Sequence, residues 1–173
     1  MKKNIGLFMA VFVCCIAVKA QQLKQFELTI PADSIAYISL TQQKVLSSNQ
    51  AAANKQAADF ALVITKDAFG KQAEWYNLSG KDGKTPARVN GTKNGIAAIS
   101  FDKEQFDHCN STADLARMTG HITKNSFSHF SGIGNSNGIT QHCFIIETEA
   151  GKRGLIYVTD AGQGQLKASF KLQ

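Results

Sequence analysis

The chain is short of proline (2), tryptophan (1) and cysteine (4) for its 173 residues. With 14 glycines and 43% hydrophobic residues, collagen-like, low-complexity and wholly disordered chains are excluded. The local signatures of several common chemistries are missing as well. There is no Cys-x-x-Cys, His-Glu-x-x-His, Gly-x-Ser-x-Gly or EF-hand loop, so a zinc knuckle, a zincin, a serine hydrolase and a calcium sensor have no sequence support.

Apolar runs of bilayer length are also missing. The longest, residues 5–18, falls short of the roughly 20 residues that a spanning helix needs. Lys2 and Lys3 precede it and Val18-Lys19-Ala20 follows, which reads as a secretory signal peptide over residues 1–20. Lipid attachment at Cys14 or Cys15 is not expected, because Val11-Phe12-Val13 lacks the Leu and small residues of a lipoprotein site. Cleavage after Ala20 would leave residues 21–173 as a single β-rich domain, exported to the periplasm, the cell surface or the medium, with no transmembrane segment.

Removal of Lys2, Lys3 and Lys19, with no acid, lowers the formal charge from +6 to +3. The remaining lysines are scattered, so a nucleic-acid partner is not expected. Cys109 and Cys143 would remain, and two thiols in an oxidising compartment usually pair. A Cys109–Cys143 disulfide is therefore expected. Closing its 34-residue loop is worth roughly 3–4 kcal/mol by chain entropy, and it would tie the segment 121–138 onto a strand.

Phe26-Glu27-Leu28-Thr29-Ile30 alternates as a half-buried strand does, and Pro31 ends it. Strands are also expected over 35–40, over 60–65 with both faces buried, and over 72–78 and 96–101. Ser48 and Asn49 precede an Ala-rich stretch, and Ser111-Thr112-Ala113-Asp114 has capping-box spacing, so two short helices follow. Segments 139–148, 155–159 and 166–172, separated by Gly-containing turns, predict a C-terminal three-stranded antiparallel meander. In the last of these, Leu166, Ala168, Phe170 and Leu172 should face a core, and Lys167, Ser169 and Lys171 should face water. The fold class is mainly β (α+β), a single antiparallel sheet or sandwich domain.

Two glycine-rich stretches resemble phosphate or dinucleotide loops without matching them. Gly80-Lys81-Asp82-Gly83-Lys84-Thr85 has Leu78 where a P-loop needs Gly, and Pro86 follows where a helix should start. Gly132-Ile133-Gly134-Asn135-Ser136-Asn137-Gly138 has the wrong spacing for the dinucleotide fingerprint and reads as a flexible loop. Asn77, Asn90 and Asn110 begin N-glycosylation sequons, and of the adjacent Trp75 and Tyr76 only one side chain can be free to stack on a sugar.

His108, His121, His129 and His142 lie within 35 residues of sequence, beside both cysteines. Imidazoles ligate transition metals and haem iron, so this group is the candidate metal or haem site. Since His108 and His142 each precede a cysteine, a disulfide between two strands would set both on the face opposite the bridge. A thiol hydrolase would need Cys109 as nucleophile, His121 or His129 as base and Asp114 or Asn110 to orient it.

The end of the leader, Lys19-Ala20-Gln21-Gln22, and the run Cys143-Phe-Ile-Ile-Glu-Thr-Glu-Ala-Gly-Lys-Arg-Gly-Leu-Ile-Tyr-Val resemble small exported proteins of Bacteroidetes. Ala58-Asp59-Phe60-Ala61-Leu62-Val63 fits the same pattern, and Asp33-Ser34-Ile35 matches the short O-glycosylation acceptor of that phylum. The resemblance covers about a third of the chain and implies an architecture and an address without an active site. A more distant similarity, to secreted haem-binding haemophores, implies a haem iron held between two His or two Met, and the histidine cluster is what this chain offers for that reading. The leading expectation is an exported, non-enzymatic binding or cell-envelope module for an extracellular ligand, with segments 79–95 and 121–138 as contact surfaces. Haem or metal binding is the alternative, and a thiol hydrolase the third.

Overall fold

Eleven strands, three short α-helices and one 3-10 turn appear in a computed structural model that describes residues 20–31, 35–53, 58–68, 70–78, 94–128, 130–135 and 138–173. The expected signal peptide, most of the loop 79–95, the P-loop-like stretch, Asp33-Ser34, Asn90 and His129 lie outside the described residues.

β1 (Lys24–Pro31) keeps its alternation because Leu28 and Ile30 look inward and Glu27 and Thr29 outward. It pairs with β11 (Gln165–Leu172), which pairs in turn with β10 (Arg153–Gly162), β9 (Cys143–Glu147) and β6 (Gly95–Ala98). The expected meander is therefore β9-β10-β11. Its last turn is a two-residue hairpin at Gln163 and Gly164, with φ of 51° and 72°. That left-handed pair matches the twist of the flanking strands, and Asp160 supports it by accepting the Gly162 N–H at 2.7 Å.

A second antiparallel sheet has the order β3 (Lys44–Leu46), β2 (Ala36–Ser39), β4 (Phe60–Asp67), β5 (Gly70–Asn77), β7 (Phe130–Asn135), β8 (Gly138–Ile139). The inner faces pack together: Ile30, Phe144, Ile156 and Phe170 meet Ile38, Phe60, Leu62 and Trp75. Trp75 and Phe144 sit edge to face at 6.4 Å. This sandwich core removes the bulk of the apolar surface from water, the main force that holds two sheets together.

Both outer faces carry helices. α1 (Ser48–Ala53) sets Ala51 against Tyr37, Ala61 and Val63, so β4 is buried on both sides as its unbroken apolar run requires. α2 (Lys103–His108) and α3 (Thr112–Thr119) cover Cys143, Ile145 and Leu155 of the first sheet with Phe106 and Leu115.

Each helix starts with reciprocal capping. Ser47 and Gln50 bond each other's backbone at 3.0 and 3.3 Å, Asp102 and Gln105 at 2.7 and 3.0 Å, and Ser111 and Asp114 at 3.1 and 3.2 Å. The cap of α1 is Ser47, one residue before the expected Ser48. α2 was not expected: its Asp102-x-x-Gln105 signal follows Ile99-Ser100-Phe101, which reads as a continuing strand, although β6 ends at Ala98.

Two other expectations are overturned. The segment around Gly132 and Gly134 is strand β7, which inserts Ile133 into the core while Gly134 runs so close to the Gly138 carbonyl that a Cβ would collide. Glycine here permits close backbone approach within a sheet and does not mark a flexible loop. The expected strand 139–148 is broken at 140–142, where the Thr140 and Gln141 N–H groups both bond the Ile133 carbonyl, so that β8 and β9 join different sheets.

Candidate functional site: a charged groove beside α2

The outer face of the first sheet is covered by helices over β9 and half of β10. Toward β11 and β1 the cover stops, and a groove of about 500 Å³ opens between α2 and the strands. Its floor carries Gln25, Glu27, Thr159, Lys167 and Ser169, and α2 contributes Lys103, Phe106 and Asp107 to its wall.

Most charges here are paired. Lys167 meets Glu27 at 2.9 Å and Ser169 donates to the same carboxylate, which holds the Glu27 carboxyl below the usual range. Lys103 bonds both Asp107 oxygens at 2.7 Å and lowers that carboxyl likewise. These exposed pairs give order more than stability.

Lys171 differs. Alternation along β11 gives it an outward direction, but α2 lies over it and it is only 4% exposed, the one buried charged residue among those described. Its Nζ donates to the Asp107 carbonyl at 3.0 Å and to Asn110 Oδ1 at 2.9 Å, and lies 4.9 Å from the centre of the Phe106 ring. Burial pushes the ammonium below the ordinary lysine range, against the pull of Cys109 and Asp107. Asn110 Oδ1 also accepts from Gln25 and its Nδ2 donates to the Asp107 carbonyl, so both ends of the sequon amide are engaged.

The expected Cys109–Cys143 disulfide is not formed: both are buried free thiols in the apolar cluster under α2 and α3. Cys143 donates to the Phe101 carbonyl, and burial raises both thiols above their ordinary range. Since Cys109 is the C-cap of α2 and not a strand residue, the two-strand geometry that would have aligned His108 with His142 is absent.

The described histidines are not brought together. His108 is exposed at the end of α2, 3.9 Å from Glu104. His121 is exposed in the turn after α3. His142 directs Nδ1 to the Val158 carbonyl at 2.9 Å and stacks on Tyr157. Among the described residues no group of three His, Cys, Asp or Glu is arranged to hold a metal.

A cleft of about 280 Å³ between α2 and α3 does join His108, Cys109 and Asp114. Asp114 is spent on capping α3 and on Arg117 at 2.9 Å, and the thiol is kept protonated by burial, so the cleft lacks an activated nucleophile.

Of Trp75 and Tyr76, the first is wholly buried and the second packs partly buried against the cluster of Tyr37, Ala61 and Val63, with its hydroxyl bonded to Glu74. A smaller cleft of about 160 Å³ lies at one end of the sandwich, between Ile64, Ala73, Ile133 and Leu166. Among the described residues no helix is long and apolar enough to cross a membrane.

No protein-family model matches the chain, and neither curated proteins nor solved structures give a match. The molecule is defined by its architecture: an antiparallel two-sheet β protein with helices on both outer faces.

Proposed function

We propose that the chain is an exported, non-enzymatic binding module that takes its ligand in the groove between α2 and the strands β1, β11 and β10. The leader-like residues 1–20 support export. The observation that carries the binding site is the groove itself: a concave surface of about 500 Å³ that combines side-chain amides, hydroxyls and charges with the rings of Phe106 and Tyr157. Convergent polar groups with aromatic neighbours are the make-up of ligand sites. Two buried, protonated thiols and dispersed histidines favour binding over hydrolysis.

Isotope-labelled protein titrated with small saccharides, peptides and haemin tests the reading. Shifts confined to Gln25, Glu27, Lys103, Tyr157, Lys167 and Ser169 are expected. Shifts at the sandwich-end cleft instead, or a sharp haem absorption band lost on substituting His108 or His142, overturn it.

A further inference from the structure

The proposed groove has an imbalance of charge at its inner end. Three lysines and two carboxylates line it, and the carboxylates are taken by Lys103 and Lys167. Lys171, the most buried of the five, bonds only neutral oxygens and lies over an aromatic ring, with the Asp107 carboxylate acting on it from outside hydrogen-bond contact. Two of its three N–H groups are used. A buried ammonium without a counter-ion is costly, and an anion that reaches it recovers part of that cost. The C-terminal carbonyl of α2 at Asp107 gives partial compensation, as cations at helix ends do, but carries no full negative charge.

Around this position the groove presents Gln25, Thr159 and Ser169, whose amide and hydroxyls both donate and accept. Hydroxyl-rich rings are bound by such groups, with apolar ring edges set against aromatics such as Phe106 and Tyr157. An acidic peptide would instead call for an excess of free cations, and Lys103 and Lys167 are already paired.

Resting on the groove reading above, we infer that the ligand is an acidic saccharide whose single carboxylate or sulfate group seats against the Lys171 ammonium. The sugar hydroxyls lie over Ser169, Thr159 and Gln25. The anion meets the one groove ammonium that bonds no carboxylate, and the ring occupies the polar floor.

Calorimetric titration of the full chain with a glucuronate trisaccharide, a sulfated glucose trisaccharide, the neutral glucose trisaccharide and an acidic tripeptide tests this. One or both acidic sugars should bind at least about tenfold more tightly than the neutral one, as an ion pair formed at a partly desolvated amine requires. Which of the two prevails identifies the anion. Lys171→Met, which keeps the stem over Phe106 without the charge, should remove that preference. Because Lys171 also supports α2, Glu27→Gln provides an independent variant: it frees Lys167 at an exposed position and should tighten the acidic sugars by roughly threefold relative to the neutral one.

Equal binding of neutral and acidic sugars overturns the anion inference and leaves the groove reading intact. Tighter binding of the acidic tripeptide overturns the saccharide class. Acidic-sugar binding that Glu27→Gln weakens, or that folded Lys171→Met leaves unchanged, overturns the assignment to Lys171. If no sugar binds, the inference falls, and the groove reading falls with it only when the wider titration also leaves the groove residues unshifted.

Discussion

Arg153 and Ile122 are joined by a 2.8 Å bond from the guanidinium Nη2 to the backbone carbonyl. The same side chain bonds the Thr119 carbonyl at 2.5 Å and the Glu147 carboxylate at 3.0 Å, and lies over the Phe127 ring. The segment after α3 is thus held to β10 by a guanidinium fork, the task expected of a disulfide. Arg153→Lys should cost about 1–2 kcal/mol because a single ammonium nitrogen cannot reach the three acceptors that the separate guanidinium nitrogens span. Arg153→Met should cost about 3 kcal/mol by leaving the largely buried Glu147 without its cation. The urea midpoint, at unchanged slope, reads both.

The helix caps make a second prediction. Ser111→Ala should lower stability by about 1 kcal/mol, and Asp102→Ala by a similar amount, since each removes the side chain that bonds the N3 N–H. Helical content should fall only slightly, because three short helices contribute little of it. The urea midpoint at neutral pH is the measurement.

Acid should weaken the fold. Asp114 is held below the usual carboxylate range chiefly by the Ser111 hydroxyl, then by the Asn110 N–H; Asp107 is held there by Lys103, and Glu27 by Lys167. A carboxyl lowered in the folded state stabilises fully above its unfolded value, about 4, and that contribution is lost as pH falls through the lowered folded values. Stability should decline below about pH 4, and the gap between the parent and Ser111→Ala should narrow toward pH 2. A gap that widens on acidification would contradict the assignment.

Cys109 and Cys143 should label slowly with alkylating reagents in the folded protein, at least about tenfold more slowly than an exposed thiol, because burial raises both and thins the thiolate. In denaturant without reductant both should label. Mass spectrometry of the two peptides decides it: a pair lighter by two hydrogens would show the disulfide instead.

Trp75, the single tryptophan, is fully buried, and its indole N–H has no hydrogen-bond partner. Its emission should lie at the blue end of the range and shift red on unfolding. Trp75→Phe should cost about 1–2 kcal/mol, less than the roughly 3–5 of truncation to Ala, since removing the orphan donor offsets part of the lost packing. Denaturation followed by circular dichroism measures it.

The sequence by itself determined the β class, the antiparallel meander and the start of α3. Leu166, Ala168 and Phe170 fall on one face at period two, and Ser111 and Asp114 stand at the one spacing that lets each cap the other. Such features depend on neighbours within a few residues. Asp102 and Gln105 carry the same signal and were hidden only by the apolar residues ahead of them.

What depends on distant residues was decided by the tertiary structure. Gly132 and Gly134 carry no strand pattern, yet both pair with β5, and at Gly134 the absent Cβ admits the close backbone approach of β8. His108, His121 and His142, close in sequence, are spread over a helix end, a turn and a sheet junction. Lys171 shows the limit best. Its period-two position sends it to the outer face, where water is the usual neighbour; only the docking of α2 makes that face an interior and leaves one ammonium bonded to neutral oxygens alone.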